Sequence, residues 1–150
     1  MERLEALFPR LRGTAYRITS SASDVYNCIA WAAGDTEHWW WPGDPARTYW
    51  PLGAPRLETL AAFRDAFAIL GYVVCEQADL EQGFEKIALF ADSDGTPTHA
   101  ARQLGDGTWT SKLGMSEDIQ HALENLVGTV YGSIAQILKR ALPSSPPEPR

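Results

Sequence analysis

The stretch FEKIALFADSDGTPTHAARQLGDGTWTSKLG, residues 84–114, decides the fold that the sequence predicts. It contains three segments with strand character, FEKIALFA, THAARQL and TWTSKLG, and these are joined by DSDG and GDG. Short connections rich in Asp and Gly are typical of tight turns between antiparallel strands. The stretch therefore predicts an antiparallel meander.

Helices are predicted on the N-terminal side of this meander. Residues 2–8 have apolar side chains at helical spacing and form a short amphipathic helix. A second helix contains Cys28, has Ser and Asp candidates for its cap in the preceding SSASD, and stops at Gly34. A third helix is capped by Thr59 and extends to about Leu70.

Two further segments complete the predicted order of elements. YVVC, residues 72–75, is a short β-run that precedes the meander. Ser116 caps a last helical section, which includes His121, breaks near Gly132 and resumes to about Leu142. The predicted order is therefore helices, then three or four consecutive antiparallel strands, then helices. This is the grouping of an α+β fold.

Composition and charge fit one domain and disfavour several partners. The 150 residues are 45% hydrophobic, which predicts a single domain over residues 1–142 and a disordered, Pro-rich tail over residues 143–150. The net charge is −6 and the cations are scattered, which disfavours nucleic-acid binding. Because no signal peptide or long apolar run occurs, we expect no membrane association and a cytoplasmic location.

The two cysteines differ in their predicted surroundings. They are too few for a disulfide framework and lack CxxC spacing, so we expect free thiols, no metal and no cofactor. Cys28 lies at a helix start, where unpaired N–H groups lower a thiol pKa, and His99 lies on a strand that holds its imidazole rigidly. Cys28 and His99 are the candidate catalytic pair, whereas Cys75 is interpreted as structural.

A third polar residue that orients the imidazole is sought near His99. Gln103 follows on the same strand and Ser111 lies on the next, and both are catalytic candidates. A two-residue turn at 106–107 puts Gln103 and Lys112 on the face of His99, whereas a one-residue bulge puts Ser111 there.

Aromatic residues are concentrated in HWWWPGDPARTYWPLGAP, residues 38–55, which is interpreted as a packed, ordered loop. These aromatic side chains either wall a substrate groove or cover the core, and both alternatives stay open. The candidate substrate-binding residues are Trp39, Trp40, Trp41, Tyr49 and Trp50.

YNCIAWAAGD, which contains Cys28, and THAARQL, which contains His99, resemble the papain-like superfamily, especially its small bacterial members of the NlpC type and related amidases. In those proteins a cysteine opens a helix that packs on an antiparallel sheet, and a histidine and a further polar residue follow on two strands. The resemblance implies a papain-like α+β fold with helices packed on an antiparallel meander sheet of three to four strands.

The chain also resembles an uncharacterised bacterial family that shares strings like YNCIAWAAGD, WWWP, GFEKIALFAD, THAARQL and WTSKLG. This resemblance extends from about Tyr26 to Arg140. It implies membership of a family and no particular activity.

Two functions are compatible with these residues. The first is a cysteine hydrolase, a peptidase, amidase or deamidase, in which the Cys28 thiolate attacks an amide or ester carbonyl of a peptide or protein substrate and His99 acts as general base and acid. The second is a non-catalytic interaction or accessory subunit that binds a protein partner on an inactive papain-like scaffold.

Overall fold

A seven-stranded antiparallel sheet is the main element of the structure, a computed structural model that describes residues 2–143. The helices are α1 (Glu2–Leu7), α2 (Cys28–Ala33) and α3 (Leu60–Ile69). The strands are β1 (Arg17–Ser20), β2 (Val73–Cys75), β3 (Phe84–Ala91), β4 (Pro97–Gln103), β5 (Trp109–Lys112), β6 (Asp118–His121) and β7 (Ser133–Ala141). They lie side by side in the order β1-β6-β5-β4-β3-β7-β2, and two 3₁₀ turns, Pro9–Leu11 and Leu123–Leu126, complete the described elements.

The predicted papain-like α+β fold, with helices packed on a meander of three to four strands, is wrong. The meander itself is present as β3, β4 and β5, but β6, β1, β7 and β2 extend it to seven strands across the described residues. The three described α-helices have six, six and ten residues. The domain is therefore mostly β, and its helices cover part of a large sheet.

The largest error lies in residues 116–142, which were predicted to be helical and which form β6, a 3₁₀ turn and β7. β7 pairs with β3 on one side and with β2 on the other, so it is an inner strand. Its adjacent residues Ile137 and Leu138 are buried on opposite faces of the sheet. Because the two buried residues of this strand are adjacent, it has no apolar alternation that would distinguish it from a helix.

The start of β7 depends on a glycine. Gly132 has φ +79°, and a Cβ built on it would lie 2.1 Å from the carbonyl oxygen of Ala91, at the end of β3. Only a residue without a side chain permits this approach of the two backbones. The expected break near Gly132 is thus a strand start rather than a kink in a helix.

The sheet has a core on each face. The α2 face is covered by α2, α3 and the loop of residues 38–55, here called the tryptophan loop. Its core contains Cys28, Ile29, Trp40, Phe63, Phe67, Ile87, Leu89, Ala100 and Leu138. The α1 face, which α1 and the 3₁₀ turns cover, contains Leu4, Phe8, Leu11, Ala88, Phe90, Ala101, Trp109, Ile119 and Leu126. Neighbouring residues such as Ala100 and Ala101 alternate between the two cores, as strand geometry requires.

The connection between β4 and β5 decides which side chains share a face with His99. Leu104 N–H donates to Thr108 O at 2.7 Å and Gly107 N–H donates to Leu104 O at 3.0 Å, so three residues form the turn. Gly107 has φ +89°, as expected for the left-handed position of a three-residue hairpin. The register therefore follows the alternative with one extra residue, which puts Ser111 rather than Lys112 on the face of His99.

Two properties of the described chain bear on its surroundings. Within residues 2–143, no helix combines the length and the apolar character that a membrane crossing needs. The predicted disordered tail lies outside the described residues from position 144 onward.

Candidate functional site

Cys28 is the first residue of α2, and Asn27 fixes this position. The Asn27 side chain accepts a hydrogen bond from Ala30 N–H at 3.1 Å, so Asn27 is the helix cap in place of the predicted Ser or Asp. The same amide donates to Trp40 O at 2.7 Å and accepts from Trp40 N–H at 3.1 Å. α2 ends at Gly34, as predicted, with φ +85°.

The thiol of Cys28 is almost completely buried, with 6% of the residue exposed. Burial raises the pKa of the Cys28 thiol to about 11, although the N–H groups of Ala100, Ile29 and Cys28 itself and the Lys112 ammonium all favour the thiolate. The predicted lowering of the pKa at the helix start is therefore outweighed by desolvation. At neutral pH the thiol is protonated.

A cavity of about 320 Å³ opens beside Cys28 and is lined by Asn27, Cys28, Trp39, Trp41, Thr98, Gly114 and Tyr131. Of the five aromatic residues predicted to bind substrate, Trp39 and Trp41 thus lie at the cavity. Trp40 and Trp50 are 4% exposed and belong to the core. Tyr49 packs on Trp40, with ring centroids 4.9 Å apart, and lies at the surface.

His99 lies on β4, on the α1 face, opposite Phe90 of β3. Its Nε2 is 2.9 Å from Ser111 Oγ, which in turn is 2.7 Å from His121 Nε2. His121 Nδ1 is 2.7 Å from Ala122 O. The structure thus brings together His99 and Ser111, as one of the predicted alternatives required, and adds His121.

Two aromatic rings hold the imidazole of His99. The Tyr131 ring stacks on it with centroids 3.9 Å apart and an interplanar angle of 10°, and Phe90 contacts it edge-on at 5.1 Å. Burial and the neighbouring His121 lower the pKa of His99 well below its usual value. The ring is therefore a neutral, immobilised imidazole.

Cys28 and His99 lie near the same part of β4 but on opposite faces of the sheet. The thiol lies beside the N–H of Ala100, whose side chain shares the α2-face core, and His99 precedes Ala100 on the α1 face. The register pairs between β4 and β5 are Arg102–Thr110 and Gln103–Trp109, so the pairing of the two strands ends before this region. Within residues 2–143, no hydrogen bond joins the thiol to His99, and His99 Nδ1 is buried without a partner.

Gln103 lies away from this site. Its Nε2 donates to Ala78 O at 2.8 Å, and the residue lines a separate cavity of about 570 Å³ together with Leu80, Phe84 and Arg102. Gln103 shares a strand and a face with His99 but none of its hydrogen bonds. Ser111, rather than Gln103, is the residue that contacts the imidazole.

Three site residues were missed from the sequence. His121 was predicted to lie on a helix, but it is buried on β6; Tyr131 and Lys112 were given no role. Lys112 is fully buried beside Cys28, and its ammonium donates to the carbonyl oxygens of Ser23, at 2.7 Å, and Gly114. The alternation of DIQH, in which Ile119 and His121 share a face, was the signal for a strand.

Both cysteines are free thiols, as predicted, with Cys28 buried and Cys75 partly exposed. In the part of the chain that the structure describes, no three His, Cys, Asp or Glu side chains converge as a metal ion would require. The candidate site is therefore a thiol, a cavity with aromatic walls and a buried chain of polar side chains.

Comparison with known proteins gives one match. No curated protein and no solved structure is similar enough to match this chain. A family model described as "Domain of unknown function (DUF7689)" matches residues 17–139, from the first residue of β1 almost to the end of β7. This range includes Cys28, His99, Ser111 and His121, and the chain belongs to the DUF7689 family.

Proposed function

We propose that this protein is a cysteine-dependent hydrolase, a peptidase, amidase or deamidase, whose nucleophile is Cys28 and whose general base is His99. The observation that carries the proposal is the position of Cys28. It begins a helix, its thiol lies next to three backbone N–H groups, and it lines a cavity walled by Trp39, Trp41 and Tyr131. A cavity with apolar walls and few polar groups is the usual form of a small-molecule or peptide site.

Both residues are neutral in the resting protein. A thiol with a pKa of about 11 must lose its proton to react at neutral pH, and the imidazole of His99 is unprotonated and has a free position for that proton, although its lowered pKa makes it a weak base. His99 Nδ1 has no hydrogen-bond partner among the described residues, while Nε2 is held by Ser111. Because the two side chains belong to opposite faces of the sheet, proton transfer between them has to pass the backbone of β4.

Backbone N–H groups supply the second requirement of acyl transfer. Attack of the thiolate on a carbonyl places negative charge on the carbonyl oxygen, and fixed N–H donors stabilise that charge. The N–H groups of Cys28, Ile29 and Ala100 all act on the sulfur in the resting protein. The Lys112 ammonium adds a positive charge on the same side.

The second candidate function is non-catalytic binding of a peptide or protein partner in the same cavity. It is favoured by the raised pKa of Cys28 and by the lack of a hydrogen bond between Cys28 and His99 within residues 2–143. In this alternative Cys28 is a small apolar residue of the cavity wall, as buried free cysteines commonly are.

An acyl-transfer assay separates the two functions. The full chain is incubated with p-nitrophenyl acetate and with short peptide thioesters, and both turnover and the intact mass are followed. We expect turnover and an acyl adduct on Cys28, both lost in Cys28→Ala and both kept in Cys75→Ala. Cys75 is the matched control because it is the other free thiol. A folded wild-type protein without adduct or turnover would support the binding function instead.

A further inference from the structure

We propose that His121, acting through Ser111, holds His99 in the tautomer whose Nδ1 is unprotonated and able to accept a proton. Ser111 and His121 are then positioning residues, and their role in catalysis rests on the proposed function. The carbonyl oxygen of Ala122, at the end of the hydrogen-bond chain, decides which group donates and which accepts at each contact. Each step follows from the number of protons that each group carries.

The direction begins at Ala122. Its carbonyl oxygen accepts hydrogen bonds and cannot donate one, so His121 Nδ1, 2.7 Å away, carries the proton of that contact. Burial lowers the pKa of His121 to about 4, so at neutral pH its ring has a single N–H. His121 Nε2 is consequently an unprotonated acceptor.

Ser111 passes this direction on. Its hydroxyl has one proton, which it donates to His121 Nε2 across 2.7 Å. The oxygen of Ser111 then faces His99 Nε2, 2.9 Å away, with a lone pair, so that His99 Nε2 is the donor. A neutral imidazole that is protonated on Nε2 has its lone pair on Nδ1.

The surroundings of His99 Nδ1 support a functional interpretation. This atom is buried and accepts no hydrogen bond from any described residue, although most buried polar atoms in proteins are paired. The stack with Tyr131, which also lines the cavity at Cys28, keeps the ring from turning. The lone pair on Nδ1 is thus unpaired and the ring that carries it is fixed in place.

The tautomers of the histidines, determined by NMR, test the proposal independently of activity. In ¹⁵N-labelled wild-type protein, long-range ¹H–¹⁵N correlation spectra are expected to show His99 protonated on Nε2 and His121 protonated on Nδ1. The chain has three histidines, so the spectra of His99→Gln and His38→Gln assign the signals. A His99 protonated on Nδ1, or a doubly protonated His121 at neutral pH, would overturn the proposal.

Variants at position 121 test the coupling. In His121→Phe the Ser111 hydroxyl loses its acceptor and turns to donate to His99 Nε2, which moves the His99 proton to Nδ1. His121→Gln keeps an acceptor oxygen for Ser111 and should keep the wild-type tautomer. The exposed His38, whose Nδ1 is 2.9 Å from Asp35 Oδ2, provides the control variant His38→Gln. An unchanged His99 tautomer in folded His121→Phe would contradict the coupling.

Activity then distinguishes this inference from the proposed function. In the ester assay we expect His121→Phe to lose about 100-fold in kcat, the size of a general-base contribution, with little change in KM, and His121→Gln to recover most of it. If the tautomers are as expected but Cys28→Ala keeps full turnover, the proposed function fails and the direction of the chain stands. If Cys28 is essential and the tautomers are reversed, the inference alone fails.

Discussion

The Cys28 thiol and the His99 imidazole lie on opposite faces of the sheet, on either side of the β4 backbone at residues 99–100. The sulfur lies beside the N–H of Ala100, while the His99 ring extends into the other core, where it is opposite Phe90. His99 and Ala100 are consecutive residues, but successive side chains of a strand point to opposite faces, so the imidazole and the thiol lie on opposite sides of the sheet.

Alkylation of Cys28 should follow the high pKa of its thiol. Because the pKa is about 11, the thiolate fraction, and with it the rate of reaction with iodoacetamide, should rise about tenfold per pH unit between pH 7 and 10. Peptide mass spectrometry of the Cys75→Ala variant measures this rate without interference from the second thiol. A rate that levels off near pH 8 would show that the resting thiol is activated.

Stability should fall on mild acidification because of the buried histidines. The folded-state pKa of His121 is lowered to about 4, below its unfolded value near 6.5, so the unfolded chain binds a proton that the folded chain does not. Its contribution is present above the unfolded pKa and is lost as the pH falls from about 6.5 towards 4, and His99, whose folded pKa is also lowered, acts in the same direction.

Urea unfolding at pH 7.5 and 5.5 measures this effect. We expect His121→Phe to remove about 1 kcal/mol of the difference in unfolding free energy between the two pH values. An equal pH dependence in wild type and His121→Phe would be inconsistent with a neutral buried His121.

Replacing Asn27 should destabilise the domain. Asn27→Ala removes the cap of α2 and both hydrogen bonds to the Trp40 backbone, which leaves buried groups unpaired. We expect a loss of about 2–3 kcal/mol in unfolding free energy. Ser23→Ala is the control, because the Ser23 side chain accepts one hydrogen bond, from Val25 N–H, in an exposed position. Similar losses in the two variants would contradict the structural role of Asn27.

Two glycines with similar backbone angles should respond differently to substitution. Gly132→Ala puts a Cβ 2.1 Å from Ala91 O, whereas Gly95→Ala, at φ +82°, meets nothing within 4 Å. The left-handed backbone alone costs an alanine about 1–2 kcal/mol. Thermal unfolding should therefore show a modest loss for Gly95→Ala and a clearly larger one for Gly132→Ala; equal losses would mean that β7 does not approach β3 as described.

The parts of the fold that the sequence predicted correctly are those set by local chemistry. Asp-Gly turns predicted the three strands of the central meander, Thr59 predicted the start of α3, and Gly34 predicted the end of α2. The strands β6 and β7 were missed because the two buried residues of β7, Ile137 and Leu138, are adjacent and give no alternation, and because β6 has only four residues. Their identity depends on pairing with distant strands, which no local pattern contains.

The site was predictable to the same extent. Helix-start position and strand position selected Cys28 and His99, and the tryptophan loop supplied two residues of the cavity. Whether Ser111 or Lys112 shares the face of His99 depended on one residue in the turn between β4 and β5, because a shift of register by one moves every side chain of β5 to the other face. His121 was out of reach while residues 116–142 were interpreted as a helix.

The side-chain amide of Asn27 connects the helix turn that carries Cys28 to the wall of the cavity. It bonds to the backbone of Trp40 in the manner of a neighbouring strand, while Trp39 and Trp41, on either side of Trp40, line the cavity. A change in the tryptophan loop is therefore transmitted to the first turn of α2. The shape of the cavity and the position of Cys28 are therefore coupled through one side chain.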